Sequence, residues 1–193
     1  VIGAGSAGLV SAYIAAMVQA KVTLIEAHQM GGDCLNTGCV PSKALIKSAR
    51  VARLVSEAAR FGIKSSAPTV DFQAVMHRIR EVITAIEPHD SVERFTGLGV
   101  ECVQGYARFI DPWTVEIDGN SRLTAQSFII ATGAAPLIPP LPGVENSGYL
   151  TSETLWDEFA KRQSPPERLM ILGGGPIGCE LAQSFQRLGA QVT

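Results

Sequence analysis

The chain has 193 residues, of which 46% are hydrophobic and 18% are charged, so it is long and apolar enough to bury a core. Its formal net charge of −2, without a long run of Lys or Arg, gives no electrostatic reason to expect nucleic acid or a membrane surface as a partner. No apolar run approaches the roughly 18 residues that cross a bilayer. The composition predicts a globular protein, and a cytoplasmic location is the default expectation.

A glycine motif opens the chain. Residues 1–8 read Val-Ile-Gly-Ala-Gly-Ser-Ala-Gly, an apolar strand end that leads into helix formers and then into a second strand over residues 21–25. In such a β-α-β unit, Gly3 permits the tight turn, Gly5 lets the backbone approach a pyrophosphate, and Gly8 allows the helix to pack closely on the strand. We expect the phosphates to lie at the positive N-terminus of the helix.

Glu26 comes directly after this second strand, at the usual distance of roughly 20 residues beyond the glycines. An acid at this position accepts hydrogen bonds from the ribose of a dinucleotide. The alternative interpretation is a solvated glutamate that merely ends the strand.

The segment over residues 31–43 reads Gly-Gly-Asp-Cys-Leu-Asn-Thr-Gly-Cys-Val-Pro-Ser-Lys. In a regular helix the Cα atoms of Cys34 and Cys39 would be roughly 8.6 Å apart, beyond the span of a disulfide, so the turn between them must be distorted. Gly38 supplies backbone freedom, and Pro41 suits the first turn of a helix that begins just after Cys39. The helix dipole then favours a thiolate at Cys39, and Lys43 lies one turn along the same face.

Other roles for the cysteines are possible. A structural disulfide that closes so short a loop would contribute only roughly 2 kcal/mol. Zinc usually has four ligands in paired close spacing, and the three histidines of the chain form no such pattern with these cysteines, so no metal site is predicted. Redox activity of Cys34 and Cys39 is the favoured interpretation. We expect Cys102 and Cys179 to be small buried residues.

The middle of the chain alternates between helical and strand patterns. Residues 71–94 are predicted as one or two amphipathic helices with a break at Pro88. Short strands then form a predicted small antiparallel meander, over residues 100–104, 107–110 and 114–117. The apolar run 127–131 enters Thr132-Gly133, and a proline-rich exit follows. Because prolines stiffen a linker, we place a domain boundary near residues 143–148.

The glycine motif recurs 170 positions further on, as Gly173, Gly175 and Gly178, and Ala20-x-Val22-Thr23 recurs as Ala190-x-Val192-Thr193. We therefore predict an α/β fold with a Rossmann-like dinucleotide-binding domain over residues 1–146, made of a parallel sheet with helices and the meander. The start of a second Rossmann-like domain follows over residues 147–193. The counterpart of Glu26 in this second unit is position 196, so the choice between NAD and NADP stays open.

The cysteine segment and both glycine motifs resemble those of the class I pyridine nucleotide-disulfide oxidoreductases, the family of dihydrolipoamide dehydrogenase, glutathione reductase and mercuric reductase. The resemblance implies that the first Rossmann-like domain is an FAD-binding domain and the second an NAD(P)-binding domain. It also implies that Cys34 is the interchange thiol that meets substrate and that Cys39 is the thiolate in charge-transfer contact with FAD. Lys43 then lies by the flavin ring and pairs with Glu180, although an acid in the first turn of a helix is also simply favourable. The other implied contacts are Gly3, Gly5, Gly8, Glu26, Gly32, Gly105, Ala107, Thr132 and Gly133 for FAD, and Gly173, Gly175 and Gly178 for NAD(P).

The same resemblance implies an enzyme that passes electrons from NAD(P)H through FAD to the redox cysteines and on to a disulfide, dithiol or metal-ion substrate. It implies a homodimer in the full-length protein, of which these residues form a part that cannot turn over alone. A serine at position 42, directly before Lys43, resembles the dihydrolipoamide dehydrogenase and mercuric reductase branches of the family more than it resembles glutathione reductase. Two alternatives stay open: a flavin-dependent NAD(P)H oxidase or monooxygenase, and a flavin-bound thiol redox sensor.

Overall fold

The structure is a computed structural model that describes residues 1–193. It contains seven α-helices and seven strands, with 3-10 turns at Ala58–Phe61, Glu87–Asp90 and Val144–Asn146. The helices are α1 Ser6–Met17, α2 Gly32–Asn36, α3 Cys39–Ser56, α4 Phe72–Ile86, α5 Val92–Gly97, α6 Leu155–Ala160 and α7 Pro176–Arg187. The strands are β1 Val22–Glu26, β2 Val100–Gln104, β3 Ala107–Asp111, β4 Thr114–Ile117, β5 Ser121–Thr124, β6 Arg168–Leu169 and β7 Gln191–Val192.

Strand β1 pairs in parallel with β2, from Val22 opposite Val100 to Glu26 opposite Gln104. The first strand of the sequence contributes through Ile2, which bridges in parallel to both Ile25 and Ile130. The prediction that residues 100–104 belong to an antiparallel meander is therefore wrong. Alternating hydrophobicity indicates a strand but carries no information about the direction of its partner, which here lies 78 positions earlier in the sequence.

The antiparallel meander consists of β3, β4 and β5 in that order. Its last strand, Ser121–Thr124, was not predicted, because the sequence Ser-Arg-Leu-Thr is mostly polar and lies at an exposed edge. The central strand holds this edge with Glu116, which is 15% exposed and forms ion pairs with Arg108 at 3.2 Å and Arg122 at 3.3 Å. Cross-strand pairs of opposite charge of this kind stabilise the face of the meander opposite to its buried residues Val115 and Ile117.

The chain divides into two compact units. Unit 1 comprises Val1–Asn36 and Thr84–Ala135, and unit 2 comprises Thr37–Ile83 and Pro136–Thr193. In unit 1, one apolar cluster joins α1 to β1, β2 and α5, and a smaller one lies beneath the meander around Val115 and Ile117. The boundary predicted near residues 143–148 stays a prediction. None of the helices combines the length and the apolar character that a bilayer crossing requires.

The core of unit 2 is aromatic. Phe72 of α4, Phe159 of α6 and Phe185 of α7 are all nearly or fully buried, and the rings of Phe159 and Phe185 meet edge to face with centroids 4.9 Å apart. Residues from α3 complete the cluster, among them Ala44, Leu45 and Ala49. The break in the predicted helical segment is confirmed, since α4 ends at Ile86 and a 3-10 turn containing Pro88 follows.

The two copies of the repeat fold alike. Helices α1 and α7 both have 12 residues, and each begins directly after the middle glycine of its motif. At the C-terminal ends, Gln19 and Gly189 both adopt a left-handed conformation, with φ of 62° and 109°. The following strand then pairs in parallel, as β1 with β2 and as β7 with β6.

Removal of the Phe185 ring tests the core of unit 2. We expect Phe185→Ala to lower the free energy of unfolding by about 3–5 kcal/mol, because the site is closed on all sides and leaves a cavity. Urea denaturation of the protein provides the measurement. Leu137→Ala is the control, because Leu137 is 91% exposed, and its effect should stay within about 0.5 kcal/mol. Equal effects of the two changes would contradict this assignment of the core.

Candidate functional site

In the first glycine turn, backbone atoms pack directly against other backbone atoms. Gly3 has φ of 98°, which favours glycine, and donates its N–H to Ile25 at 2.8 Å. A Cβ atom on Gly3 would overlap the carbonyl of Ala131, and one on Gly8 would overlap the carbonyl oxygen of Gly3. The tight turn predicted for Gly3 and the close helix packing predicted for Gly8 are both present.

Gly5 lies at the N-terminus of α1 and faces Gly32. It is the N-cap residue of the helix, in an extended conformation, and offers no side-chain acceptor to the first N–H groups. A Cβ on Gly32, whose φ is 53°, would lie 2.6 Å from the Cα of Gly5. The two glycine backbones therefore pack directly against each other at this helix N-terminus. The first N–H groups of α1 have no side-chain cap, as in helix N-termini that bind an anion such as a pyrophosphate.

The carboxylate of Glu26 is fixed by two backbone amides. Its Oε2 accepts the N–H of Ala4 at 2.5 Å and its Oε1 accepts that of His28 at 2.7 Å. The bond from Ala4 ties the end of β1 to the glycine turn, and the bond from His28 fixes the carboxylate locally. Each carboxylate oxygen has a second lone pair, so the group keeps capacity to accept a hydroxyl. The structure thus brings Glu26 to the glycine motif, as the spacing predicted.

Four further predicted FAD contacts belong to unit 1. Gly105 donates its N–H to the carbonyl of Glu26 at 2.8 Å, so its backbone lies beside the acid. Ala107 is the first residue of β3, lies opposite Ile117, and is partly buried against the apolar cluster of the meander. The Cα of Thr132 lies beside Gly3, at 3.1 Å from the position that a Cβ would take, and Gly133 has φ of 71° with open space around it.

Helix α2 holds Cys34, which is half-buried. Leu35, 1% exposed, anchors this short helix, and Gly31 admits it because a Cβ on Gly31 would overlap the Leu35 side chain. The side-chain amide of Asn36 donates to the carbonyls of Met30 at 3.0 Å and Gly32 at 2.9 Å. Gly31 and Asn36 therefore hold the backbone that carries Cys34.

The predicted helix start at the second cysteine is confirmed, since α3 begins at Cys39. Its N-cap residue is Gly38, with φ of −112° and ψ of −105°. This conformation lies outside the regions usual for other residues, but glycine tolerates it. Pro41 lies in the first turn, as expected. The hydroxyl of Ser42 donates to the Cys39 carbonyl at 3.2 Å, and its N–H donates to Gly38 at 3.0 Å. The thiol of Cys39 is exposed at this helix N-terminus.

Lys43 and Glu180 form an ion pair, which the resemblance implied. The Nζ of Lys43 donates to Oε2 of Glu180 at 2.6 Å, although the two side chains are 59% and 40% exposed. Packing of α3 against α7 in unit 2 brings them together across 137 positions of sequence. Such an exposed pair contributes little to stability, and it places the lysine ammonium beside the Glu180 carboxylate.

The second glycine motif repeats the geometry of the first. Gly173 has φ of 115°, Gly175 is the extended N-cap of α7, and a Cβ on Gly178 would overlap the carbonyl oxygen of Gly173. Pro176 occupies the first helical turn, where its missing N–H has no effect. The motif therefore has the same open helix N-terminus as its counterpart at Gly5.

The expectation of two buried, inert cysteines holds only in part. Cys179 is exposed on α7, so the prediction that it is buried is wrong; its thiol lies 3.5 Å from the carbonyl of Gly174. The glycine-rich start of the helix leaves the side chain uncovered. Cys102 is half-buried, and burial raises the pKa of its thiol, which keeps it protonated at neutral pH.

Two contributors were missed by sequence reasoning. Gly31 and Asn36 lie inside the cysteine segment, but their use depends on the particular turn before α2, which no periodicity reveals. The signal available was the spacing of Asn36, four positions after Gly32, which suits a side-chain bond back to the preceding turn.

The structure contains two β-α-β units with glycine turns, and the first of them holds an acid in place. A cysteine lies at a helix N-terminus. These features define a dinucleotide-binding α/β protein of the Rossmann class. Comparison with known proteins agrees. The family model described as pyridine nucleotide-disulphide oxidoreductase matches residues 1–193. The chain therefore belongs to the pyridine nucleotide-disulphide oxidoreductase family.

Individual relatives have the same character. The chain is 37% identical to the mercuric reductase of Bacillus cereus, over all of this chain and 30% of that protein. It is 36% identical to the dihydrolipoyl dehydrogenase of Thermus scotoductus, over all of this chain and 41% of that protein. The HOCl-induced flavoprotein disulfide reductase RclA from Escherichia coli superposes with a TM-score of 0.81 at 29% identity, covering 99% of this chain and 40% of that one. The chain thus spans less than half the length of these relatives.

Substitution at the first helix corner tests the close packing. We expect Gly8→Ala to lower the free energy of unfolding by about 1–3 kcal/mol or more, because its Cβ overlaps a backbone oxygen that cannot rotate away. Gly97→Ala is the matched control, since that glycine ends α5 with open space around it and gains helix propensity. Chemical denaturation of both variants gives the comparison. A Gly8→Ala protein as stable as Gly97→Ala would rule out the contact.

Proposed function

We propose that the full-length protein is a FAD-dependent disulfide oxidoreductase that moves electrons between NAD(P)H, FAD and a redox pair formed by Cys34 and Cys39. The observation that carries the proposal is this cysteine pair, five positions apart, with Cys39 as the first residue of α3 beside the Lys43–Glu180 ion pair. Membership of the family and the flavoprotein disulfide reductase among its structural neighbours support it.

The residues of unit 1 fit a flavin dinucleotide. Gly5 gives α1 no side-chain cap, so the first N–H groups of the helix can bind phosphates, and Gly32 allows α2 to pack closely against this turn. Glu26 presents oriented oxygens to a ribose. Gly105 and Ala107 would border the adenine, and Thr132 and Gly133 the flavin end. When bound, FAD supplies two-electron chemistry that links hydride transfer to thiol-disulfide exchange.

The cysteines carry the exchange. A disulfide between Cys34 and Cys39 takes up two electrons and two protons to give two thiols. Cys34, as a thiolate, attacks one sulfur of a substrate disulfide, which forms a mixed disulfide and releases the first substrate thiol; a substrate metal ion would instead bind to Cys34. Cys39 then attacks Cys34 of the mixed disulfide, which releases the second substrate thiol and restores the Cys34–Cys39 bond. Reduction by this scheme requires NAD(P)H as the electron source.

Lys43 and Glu180 position charge for this chemistry. In the proposal the ammonium of Lys43 lies by the flavin ring, and Glu180 fixes its direction through the 2.6 Å bond. Gly173, Gly175 and Gly178 bind the pyrophosphate of NAD or NADP at the N-terminus of α7.

The substrate class follows from the relatives. Proteins named mercuric reductase and dihydrolipoyl dehydrogenase are about equally similar to this chain, at 37% and 36% identity. We therefore propose a small disulfide or dithiol, or a thiol-binding metal ion, as substrate. We further propose that the full-length protein is a homodimer in the cytoplasm. Its FAD domain comprises residues 1–146, and its NAD(P) domain begins at residue 147.

Steady-state turnover of the full-length protein tests the function. We expect oxidation of NADH or NADPH that depends on an added acceptor, assayed separately with a small disulfide and with Hg²⁺. Cys34→Ser and Cys39→Ser should each lower this turnover by at least about 100-fold, while Cys179→Ser, which changes an exposed thiol outside the pair, should leave it intact.

The same assay separates the alternatives. Acceptor-independent consumption of NAD(P)H that survives both cysteine substitutions would identify an oxidase or monooxygenase. A protein that binds FAD and reacts stoichiometrically with oxidants, but shows no sustained turnover, would be a redox sensor instead.

The Lys43–Glu180 pair gives a second test. We expect Glu180→Gln to lower turnover by roughly tenfold to a hundredfold, because the lysine loses its fixed position, with a change in unfolding free energy below about 1 kcal/mol. Glu158→Gln is the matched control, since Glu158 forms a similarly exposed pair with Lys161, and it should alter neither quantity. Unchanged turnover in Glu180→Gln would remove the pair from the mechanism.

A further inference from the structure

One buried side chain outside the cysteine segment reaches into it. Trp156 of α6 is 8% exposed, and its indole Nε1 donates to the carbonyl oxygen of Thr37 at 2.7 Å, across 119 positions of sequence. Both residues belong to unit 2. Thr37 stands two positions before Cys39, directly ahead of the N-cap residue of α3.

The bond acts where the helix that follows has no side-chain cap. Gly38 provides no side-chain cap to α3 and adopts a conformation with ψ of −105°, and glycine is the residue with the widest choice of alternatives. Because the peptide unit is planar, a fixed Thr37 carbonyl also fixes the direction of the Gly38 N–H and the position of its Cα. The indole therefore restrains the peptide from which the first turn of α3 starts.

The indole itself is held by packing. Trp156 lies in the same buried cluster as Ala44 and Leu45 of α3 and as its neighbours Leu155 and Phe159. The ring thus contacts the core that carries α3, while its N–H holds the peptide that enters α3. An indole has a single polar hydrogen, which makes this contact the one hydrogen bond it donates.

We propose that Trp156 is a positioning residue for Cys39: by holding the Thr37 carbonyl it keeps the N-terminal turn of α3 in the geometry that makes the Cys39 thiol reactive. The inference rests on the proposed function for the role of Cys39. Loss of the indole N–H lets the Thr37–Gly38 peptide rotate, which turns the first N–H groups of the helix away from the sulfur and weakens the stabilisation of its thiolate.

The test is the pH profile of alkylation. Full-length, flavin-loaded and reduced protein is treated with iodoacetamide under anaerobic conditions, and the rate at each cysteine is followed by mass spectrometry of its peptide. In Trp156→Phe we expect the midpoint of the Cys39 profile to move to higher pH and the rate at neutral pH to fall about threefold to tenfold. The profile of Cys179, which is exposed on α7, should not move.

Two further proteins complete the design. Trp113→Phe makes the same change at the other tryptophan, which is 62% exposed in the turn before β4, and should leave both profiles as in the unaltered protein. Replacement of Trp156 by benzothienylalanine keeps the bicyclic shape but lacks the N–H, and it should reproduce the shift if Trp156→Phe folds poorly.

The outcomes are distinct. A Cys39 shift in the Phe and benzothienylalanine proteins supports the inference. A lowered unfolding midpoint with an unmoved Cys39 profile would show that the indole only stabilises unit 2 and would overturn it. The alkylation readout needs no turnover, so absence of acceptor-dependent NAD(P)H oxidation would count against the proposed function and leave this measurement valid.

Discussion

The contact between the backbone of a helix and the carbonyl of the turn before it is the constraint on which this structure depends. At Gly8 and again at Gly178 a hydrogen atom faces the carbonyl oxygen of the first glycine of the motif, where a Cβ would overlap it. Only this approach lets the helix begin immediately after the turn, with its N-terminus beside the end of the strand. The glycine motif therefore recurs in the sequence because both units need a residue without a Cβ at this helix position.

A second regularity concerns helix caps. Ser, Thr, Asp or Asn usually cap a helix by accepting one of its first N–H groups, as Ser91 does for α5. Three of the four helices that carry candidate site residues, α1, α3 and α7, instead have glycine N-caps and no side-chain cap. Their first N–H groups are thus left without a side-chain acceptor, at the expense of only about a few tenths of a kcal/mol of helix stability each.

Sequence reasoning succeeded where the physical cause is local. The turn at Gly3, the helix start at Cys39 and the break at Pro88 depend on neighbours within a few positions, and all are present. It failed where the cause is distant. The direction of strand 100–104 is set by β1, and the exposed surface of Cys179 depends on what packs around α7. The Lys43–Glu180 contact was reached only through the family resemblance, because no local pattern links residues 137 positions apart.

The two hydrogen bonds that Glu26 accepts from backbone amides have a thermodynamic consequence for any hydroxyl that binds to this carboxylate. A free glutamate side chain samples many rotamers, and immobilising it opposes association by up to about 1.5–2 kcal/mol. In this fold the N–H groups of Ala4 and His28 already select one rotamer. The Glu26 side chain therefore loses its conformational entropy during folding. A ribose that binds there would not have to offset this loss again.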